Sequence, residues 1–258
     1  MKYDKKTGKY FAIPNDVILA SSTLRDLIPV YIQLIKRRSE YDDKAYMIMN
    51  DIIEASGRKL TKTIRAGCDA HVKIISCLEW LKSNQYIDIV DTDILDIYDF
   101  GLTKRIKFKI DREKIKSPQK FALLYVEDVE RLLDISQQFK IRYNNLLLVY
   151  CYIAERIYSN KRKTTTNKWR PEVVSLSPSL LQDDLNISKL TLNKILTALV
   201  DGKMLDRYVF NPTKTEEDTY YRHKSIYAIH EEGVTFNSQI AAALRQVKQA
   251  INEKQTAS

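Results

Sequence analysis

The sequence contains only six glycines and six prolines among its 258 residues. A β-sandwich or an α/β fold with many tight turns uses more of both, so their scarcity favours helices. Cysteine is also scarce: Cys68, Cys77 and Cys151 form an odd set, which argues against a disulfide framework and predicts a reducing, cytoplasmic compartment. The first ten residues are polar and rich in lysine, and no apolar run reaches 18 residues, so we expect neither a signal peptide nor a membrane span.

Motifs for nucleotide, metal or nucleophilic chemistry are missing or incomplete. The segment GRKLTK at Gly57 departs from the phosphate-loop pattern, and there is no GxGxxG. Cys68, His71 and Cys77 lack a fourth ligand at zinc spacing. Five aspartates could hold Mg²⁺ for a nuclease, but they alternate with isoleucine, leucine and valine, which favours a strand with a solvated acidic face: Asp88, Asp91, Asp93, Asp96 and Asp99. We therefore predict no cofactor, no metal site and no enzymatic activity.

Positive charge is the main compositional signal. The formal net charge is +9 and the isoelectric point is about 9.2. Such an excess of lysine and arginine favours a polyanionic partner, and nucleic acid is the commonest one. An RNA-binding or ribosome-associated role fits the charge equally well.

The stretch from Val173 to Ile229 has the clearest organisation. A short β-branched run leads to Ser177-Pro178, a helix cap followed by proline at the first helical position. A short helix over Ser179–Leu185 and a three-residue turn precede a second helix that Ser188 can cap. Two strand-like runs follow, so the order is helix, turn, helix, hairpin, as in a winged helix-turn-helix. The spacing places four apolar residues on one face of the second helix: Leu192, Ile195, Leu196 and Leu199.

The opposite face of this second helix carries two lysines, two threonines and an asparagine, without a carboxylate: Lys189, Thr191, Asn193, Lys194 and Thr197. A face that is only solvated usually mixes both signs of charge. We therefore predict that these residues enter the major groove of DNA, with Asn193 best suited to read a base edge and the lysines neutralising phosphates. The alternative is an amphipathic core helix with a solvated face.

The first half of the chain repeats this order of elements. We predict a helix at Thr23–Arg38, a strand at Ala45–Met49, a short helix at Asp51–Ala55 capped by Asn50, a helix at Ala70–Leu81 with Val72, Ile75 and Leu78 inward, and a hairpin of Tyr86–Val90 with Ile106–Ile110. Residues also match between the halves: VY at Val30 and Val149, KIISCL at Lys73 with KILTAL at Lys194, and NQYI at Asn84 with GKML at Gly202. A repeat of this length predicts two similar domains.

The predicted fold class is mostly α with small β-hairpins (α+β), in two tandem winged helix-turn-helix domains. We expect the N-terminal domain to span residues 1–111 and the C-terminal domain residues 141–258. Between them lies a linker with a bridging helix over residues 112–140, in which Phe121–Ile135 has helical spacing. A final amphipathic helix is expected over Val234–Asn252.

Two further groups of basic residues are candidates for DNA contact. The first surrounds the turn and second helix of the N-terminal repeat: Arg58, Lys59, Lys62, Thr63, Arg65, His71 and Lys73. The second belongs to a loop that could follow the phosphate backbone: Lys161, Arg162, Lys163, Lys168 and Arg170. A solvated charged loop is the alternative for the second group.

The stretch ISKLTLNKILTALVDGKMLDRYV resembles the bacterial winged-helix pattern, in which a leucine-anchored recognition helix leads into a β-wing. Two such domains in tandem on a basic chain are similar to the replication initiators of plasmids and phages. The opening YFAIPNDVIL, with the helix behind it, resembles the amino-terminal domains of initiators from Gram-positive plasmids. The resemblance implies binding to repeated sequences at an origin, dimerisation, recruitment of host replication proteins, and no catalytic activity.

The sequence thus predicts a site-specific binder of double-stranded DNA, with replication initiation as the favoured role. A transcriptional regulator needs only a bound site as well, so the sequence leaves this alternative open. A third alternative is a protein-interaction scaffold built on winged helices, whose positive charge serves solubility. That scaffold predicts little affinity for DNA.

Overall fold

The computed structural model describes residues 9–39, 41–57, 69–89, 105–116, 120–162, 173–209 and 225–230. These ranges contain nine helices and eight strands in small sheets, which confirms the mixed α+β class. The helices are α1 (Asn15–Ala20), α2 (Leu27–Lys36), α3 (Met49–Ala55), α4 (Asp69–Ser83), α5 (Arg112–Lys116), α6 (Val126–Gln138), α7 (Tyr143–Arg162), α8 (Pro178–Leu185) and α9 (Lys189–Asp201). None of the helices in these ranges is both long and apolar enough to cross a bilayer.

Three small antiparallel sheets accompany the helices. The strands are β1 (Tyr10–Pro14), β2 (Lys44–Ile48), β3 (Ile87–Ile89), β4 (Arg105–Ile110), β5 (Phe121–Tyr125), β6 (Val173–Leu176), β7 (Leu205–Val209) and β8 (Ser225–Ile229). Strand β1 pairs with β5, and the two three-stranded sheets have the orders β2-β4-β3 and β6-β8-β7. In each of these larger sheets the strand that comes last in the chain lies in the middle, flanked by the two earlier ones.

The two halves share their order of elements. The first half runs α2, β2, α3, α4, β3, β4, and the second runs α7, β6, α8, α9, β7, β8. The turn after the last helix is built alike in both, because the Tyr86 N–H donates to the Leu81 carbonyl at 2.8 Å and the Met204 N–H donates to the Leu199 carbonyl at 2.8 Å. The residue before Tyr86 and the residue before Met204 both have positive φ, at 61° and 53°. The likeness therefore extends from element order to individual hydrogen bonds.

Helix α7 lies at the centre of the described structure. All residues from Leu146 to Glu155 are buried, so the helix has no solvated face along this stretch. It packs against α1, α2 and β5 and also against β6, α9 and β8. Within the described ranges, the two halves consequently share one continuous apolar core. The predicted domain ranges 1–111, 112–140 and 141–258 stay predictions.

The helix expected at Phe121–Ile135 is wrong over its first five residues. Residues Phe121–Tyr125 form β5, which pairs with β1 so that Ile13 lies opposite Ala122. An apolar run of this length fits a strand and a buried helix equally well, and the distant partner strand decides between them. The helical part begins only at Val126, and the partner strand β1 spans Tyr10–Pro14.

Smaller corrections concern the ends and faces of the first helices. Helix α2 begins at Leu27 rather than Thr23, which places Pro29 in its first turn, where the missing N–H is not needed. Asn50 lies inside α3, whose N-cap is Ile48. Val72, expected inward, is 38% exposed, whereas Ile75 and the rest of the predicted apolar face of α4 are buried. The helix expected at Val234–Asn252 lies outside the described residues.

Candidate nucleic-acid interface

Helices α8 and α9 follow one another across residues 186–188, and α8 is closed by polar groups at both ends. The Ser177 hydroxyl accepts a hydrogen bond from the Leu180 N–H at 3.1 Å, and Pro178 occupies the first helical turn. At the other end Asn186 adopts the left-handed conformation, with φ 49° and ψ 48°, which asparagine tolerates better than most residues. The left-handed conformation of Asn186 therefore ends α8, and the turn of residues 186–188 begins there.

Ser188 begins α9 as predicted. Its hydroxyl accepts from the Thr191 N–H at 3.4 Å and donates to the Thr191 hydroxyl oxygen at 3.0 Å. Thr191 is half-buried, so its side chain takes part in the cap and lies at the edge of the exposed face. Of the five residues predicted on this face, Thr191 is thus the least accessible to a ligand.

The two faces of α9 are sharply divided. The predicted apolar face is confirmed, because its four members and Ala198 are fully buried: Leu192, Ile195, Leu196 and Leu199. Lys189, Asn193, Lys194 and Thr197 are exposed, as predicted. The exposed face also carries Leu190, which is 69% exposed and lies three residues before Asn193, and Asp201 at its end. The residues predicted on this face are all polar and do not include Leu190, although helical spacing places this leucine among them.

The other candidate groups are only partly described. Lys73 is exposed on α4. The loop predicted at Lys161 and Arg162 is wrong for these two residues, which belong to the end of α7 because the helix continues to Arg162. Their side chains and that of His71 on α4 are not described. The remaining candidates lie outside the described residues: Arg58, Lys59, Lys62, Thr63, Arg65, Lys163, Lys168 and Arg170. Only α9 therefore presents a described constellation of several candidate residues.

Arg25, from the loop before α2, holds the turn between α8 and α9. Its guanidinium donates to the carbonyl oxygens of Leu185 and Asn186 at 2.8 and 2.7 Å. A cation at this end of α8 satisfies carbonyls that the helix leaves unpaired and complements its dipole. Burial and the nearby charge of Arg142 lower the pKa of Arg25, which still remains protonated. The first half of the chain therefore fixes the start of α9.

A second anchor joins α7 to α8. The Tyr152 hydroxyl donates to the Asp184 carboxylate, and an Arg156 guanidinium nitrogen lies 3.3 Å from the same oxygen. The guanidinium carbon also lies 3.2 Å from the centre of the Tyr152 ring. Burial, and then the hydrogen bond to Asp184, raises the pKa of Tyr152 well above its usual range. The hydroxyl therefore stays protonated and remains a donor.

The far end of α9 rests on α6 at Gly202. A side chain at this position would collide with Ile135, because a Cβ would lie 2.3 Å from its Cδ1 and 2.7 Å from its Cγ1. We expect Gly202→Ala to lower the free energy of unfolding by about 1–3 kcal/mol, as overpacking of a tight contact does. Urea denaturation of the purified chain measures this change.

The matched test for this contact combines Gly202→Ala with Ile135→Ala. If Ile135 causes the strain, the double variant loses less stability than the sum of the two single variants. If the stability losses of the two single variants add up to that of the double variant, Ile135 does not cause the strain. Tight packing at Gly202 would then have to lie elsewhere, for instance at the Ala198 carbonyl oxygen, 2.9 Å from the same Cβ position.

Chemically reactive groups are few in the described part of the chain. No set of three or more histidine, cysteine or carboxylate side chains there could hold a metal ion. Cys77 and Cys151 are buried, and burial raises the pKa of the Cys151 thiol far above its usual range. Cys68 lies outside the described residues. This environment keeps the Cys151 thiol protonated and unreactive.

Asp88 is exposed on β3, which agrees with a solvated acidic strand, while the other four aspartates of that run lie outside the described residues. His230 follows β8, and its Nδ1 lies 2.9 Å from the Asp206 carboxylate. The pair joins the end of β8 to β7, so a structural role explains it.

A scan of the chain against models of protein families finds no match, and neither does a search of curated proteins.

Proposed function

We propose that this protein binds double-stranded DNA at specific sites and initiates replication of a plasmid or phage, using two tandem winged helix-turn-helix domains. The observation that carries the proposal is the exposed face of α9. Asn193, Lys194 and Thr197 lie there together, and the opposite side of the helix is packed into the core. A helix that offers amide and ammonium donors from a fixed scaffold suits the major groove.

The arrangement of the sheets supports the winged-helix part of the proposal. In a winged helix, a helix-turn-helix is followed by a hairpin whose strands pair with an earlier strand. Both halves of this chain place β3–β4 and β7–β8 after a pair of helices, and the earlier strands β2 and β6 complete the sheets. The hairpin loops themselves, where the wings would lie, fall outside the described residues.

The choice of initiator over transcriptional regulator rests on the resemblance of the chain to tandem initiators. Both roles need a bound site, and only the initiator also needs host replication proteins. A second copy of the chain and host replication proteins are accordingly the proposed protein partners. DNA at repeated sequences is the proposed ligand.

A protein-interaction scaffold is the second candidate, and Leu190 is the observation that favours it. A leucine that is 69% exposed beside Asn193 offers apolar area to a protein partner. The same side chain could contact a thymine methyl group, so its exposure fits both candidates. The lysines separate them, because a scaffold tolerates the loss of Lys189 and Lys194.

Fluorescence anisotropy of a labelled random duplex across a salt series tests the proposal. We expect binding with a dissociation constant of about 1–100 μM at physiological salt that weakens steeply as salt rises. Selection of duplexes from a random library should then yield a preferred site. Absence of binding at low salt would contradict both DNA-binding roles and would leave the scaffold.

A further inference from the structure

The outer face of the first three-stranded sheet is basic and carries an exposed tyrosine. Side chains alternate along a strand, and on β4 the outward positions hold Arg105, Lys107 and Lys109, while Ile106, Phe108 and Ile110 are buried. On the neighbouring strand β2, Tyr46 lies opposite Lys107. We call the surface formed by Tyr46 and the three cations of β4 the basic sheet face.

The arginine and a lysine surround the tyrosine on this face. The guanidinium carbon of Arg105 lies 4.6 Å from the centre of the Tyr46 ring, and the Lys107 ammonium lies 6.0 Å from it. Tyr46 is 36% exposed. Cations at such distances orient an aromatic ring and keep positive charge beside it. At the other end of the face Asp88 lies opposite Lys109, so among the described residues the charges are mixed there, whereas those next to the Tyr46 ring are the two cations Arg105 and Lys107.

The equivalent face of the second sheet shows that the fold does not require this composition. The pairing of β4 with β3 and of β8 with β7 places Lys107 and Lys109 where the second sheet has Ile226 and Ala228. Ile226 and Ala228 are buried, with 2% and 0% exposure. The two three-stranded sheets therefore have the same strand order but differ on this face. In the second sheet the face is buried and apolar, and in the first sheet it is exposed, basic and aromatic.

Regularly spaced cations beside an aromatic ring match the chemistry of an extended single strand of nucleic acid. Alternate residues of a strand lie about 7 Å apart, close to the spacing of successive phosphates along an extended chain. Proteins that hold single strands combine positive charge along the backbone with aromatic rings on which bases stack. A duplex keeps its bases inside the stack and would leave the tyrosine unused.

We propose that the basic sheet face binds single-stranded DNA, with Arg105 and Lys107 on the phosphates and Tyr46 against a base. The proposal goes beyond binding of double-stranded DNA by α9. Cations recognise phosphate and do not distinguish a 2′-hydroxyl, so the choice of DNA over RNA rests on the proposed function.

Anisotropy of a labelled oligo(dT), which cannot form a duplex, tests the proposal on the full chain. For Arg105→Gln/Lys107→Gln we expect the slope of log affinity against log salt to fall by about 1.4, since each phosphate contact on a single strand contributes about 0.7. Tyr46→Ala should weaken binding about 5- to 100-fold, whereas Tyr46→Phe, which keeps the ring, should bind normally. The matched control is Lys189→Gln/Lys194→Gln, which removes two cations from α9 and should leave oligo(dT) binding unchanged.

Crosslinking locates the strand without relying on a variant that folds. An oligonucleotide with 5-iododeoxyuridine, irradiated in complex with the unaltered protein, should label the peptide that contains Tyr46. Labelling confined to α9, or oligo(dT) binding that only the α9 variant reduces, would overturn the assignment. Polyglutamate that competes as strongly as oligo(dT) would point to an acidic protein instead, and tighter binding of oligo(U) would point to RNA. Either result would overturn the proposal of single-stranded DNA.

Discussion

Replacing Asn193 with alanine should lower the preference for a selected duplex over a random duplex by about 5- to 100-fold, because a bidentate amide contact to adenine contributes about 1–3 kcal/mol of discrimination. Asn193 is exposed on α9 and lies one residue before Lys194, so both can face the same groove. Binding to random duplex should change little in this variant. Titration of both duplexes at one salt concentration measures the ratio.

Replacing Lys194 with alanine should have the complementary effect. A lysine on phosphate reads no sequence, so affinity for both duplexes should fall together, and the salt slope should decrease by about one unit. Lys120→Ala, which removes one exposed lysine from the loop before β5, is the control for net charge and should leave the slope unchanged. Equal effects of the Asn193 and Lys194 variants on both duplexes would contradict the assigned roles.

Replacing Arg25 with alanine should lower the free energy of unfolding by about 2–4 kcal/mol, because two hydrogen bonds from a charged donor are lost. The carbonyls of Leu185 and Asn186 would lose this partner at the end of α8. Relief of the repulsion between Arg25 and Arg142 offsets part of the loss. Urea denaturation gives the overall change, and hydrogen exchange of the amides in the turn 186–188 should show the local loosening.

Arg25→Lys distinguishes a general charge effect from the specific bonds. Lysine keeps the cation but cannot present the planar fork of donors, so we expect it to recover only part of the stability. Arg131→Ala removes an exposed arginine from α6 and is the control for loss of charge, with little expected change. Unfolding free energies that are equal for the Arg25 variants and the unaltered protein would show that this anchor contributes nothing.

Structural features that depend on residues close together in the chain were predictable from the sequence. The caps at Ser177 and Ser188 and the buried face of α9 depend on residues at most a few positions apart. The same holds for the alternation along β4. These features follow from hydrogen-bonding side chains and from the periods of helix and strand, so no distant contact is needed to establish them.

Structural features that depend on contacts between residues far apart in the chain were not predictable from the sequence. The strand β5 was taken for a helix because its partner β1 lies more than a hundred residues earlier in the chain. Arg25 could not be recognised as an anchor, because its acceptors lie 160 and 161 residues later. The collision of a side chain at position 202 with Ile135 depends on how α6 packs, which the sequence around Gly202 does not reveal. At the candidate site, Thr191 was predicted to contact DNA because it is polar and lies on the outer face of α9. The sequence did not show that its side chain takes part in the cap of that helix.

The continuous core around α7 has a consequence for the geometry of any DNA that both halves contact. Helix α9 packs on α7, and α4 packs on α2, which also contacts α7, so both helices belong to one continuous core. A core that moves as one body keeps their distance and rotation fixed. The two contacted segments of a duplex must then keep one helical phase. Inserting about half of a 10.5-base-pair turn between them would move one segment to the opposite side of the duplex, whereas a whole turn would restore its side and alter only its distance. The affinity of the protein for such a duplex would thus depend on the helical phase between the two segments as well as on their sequence.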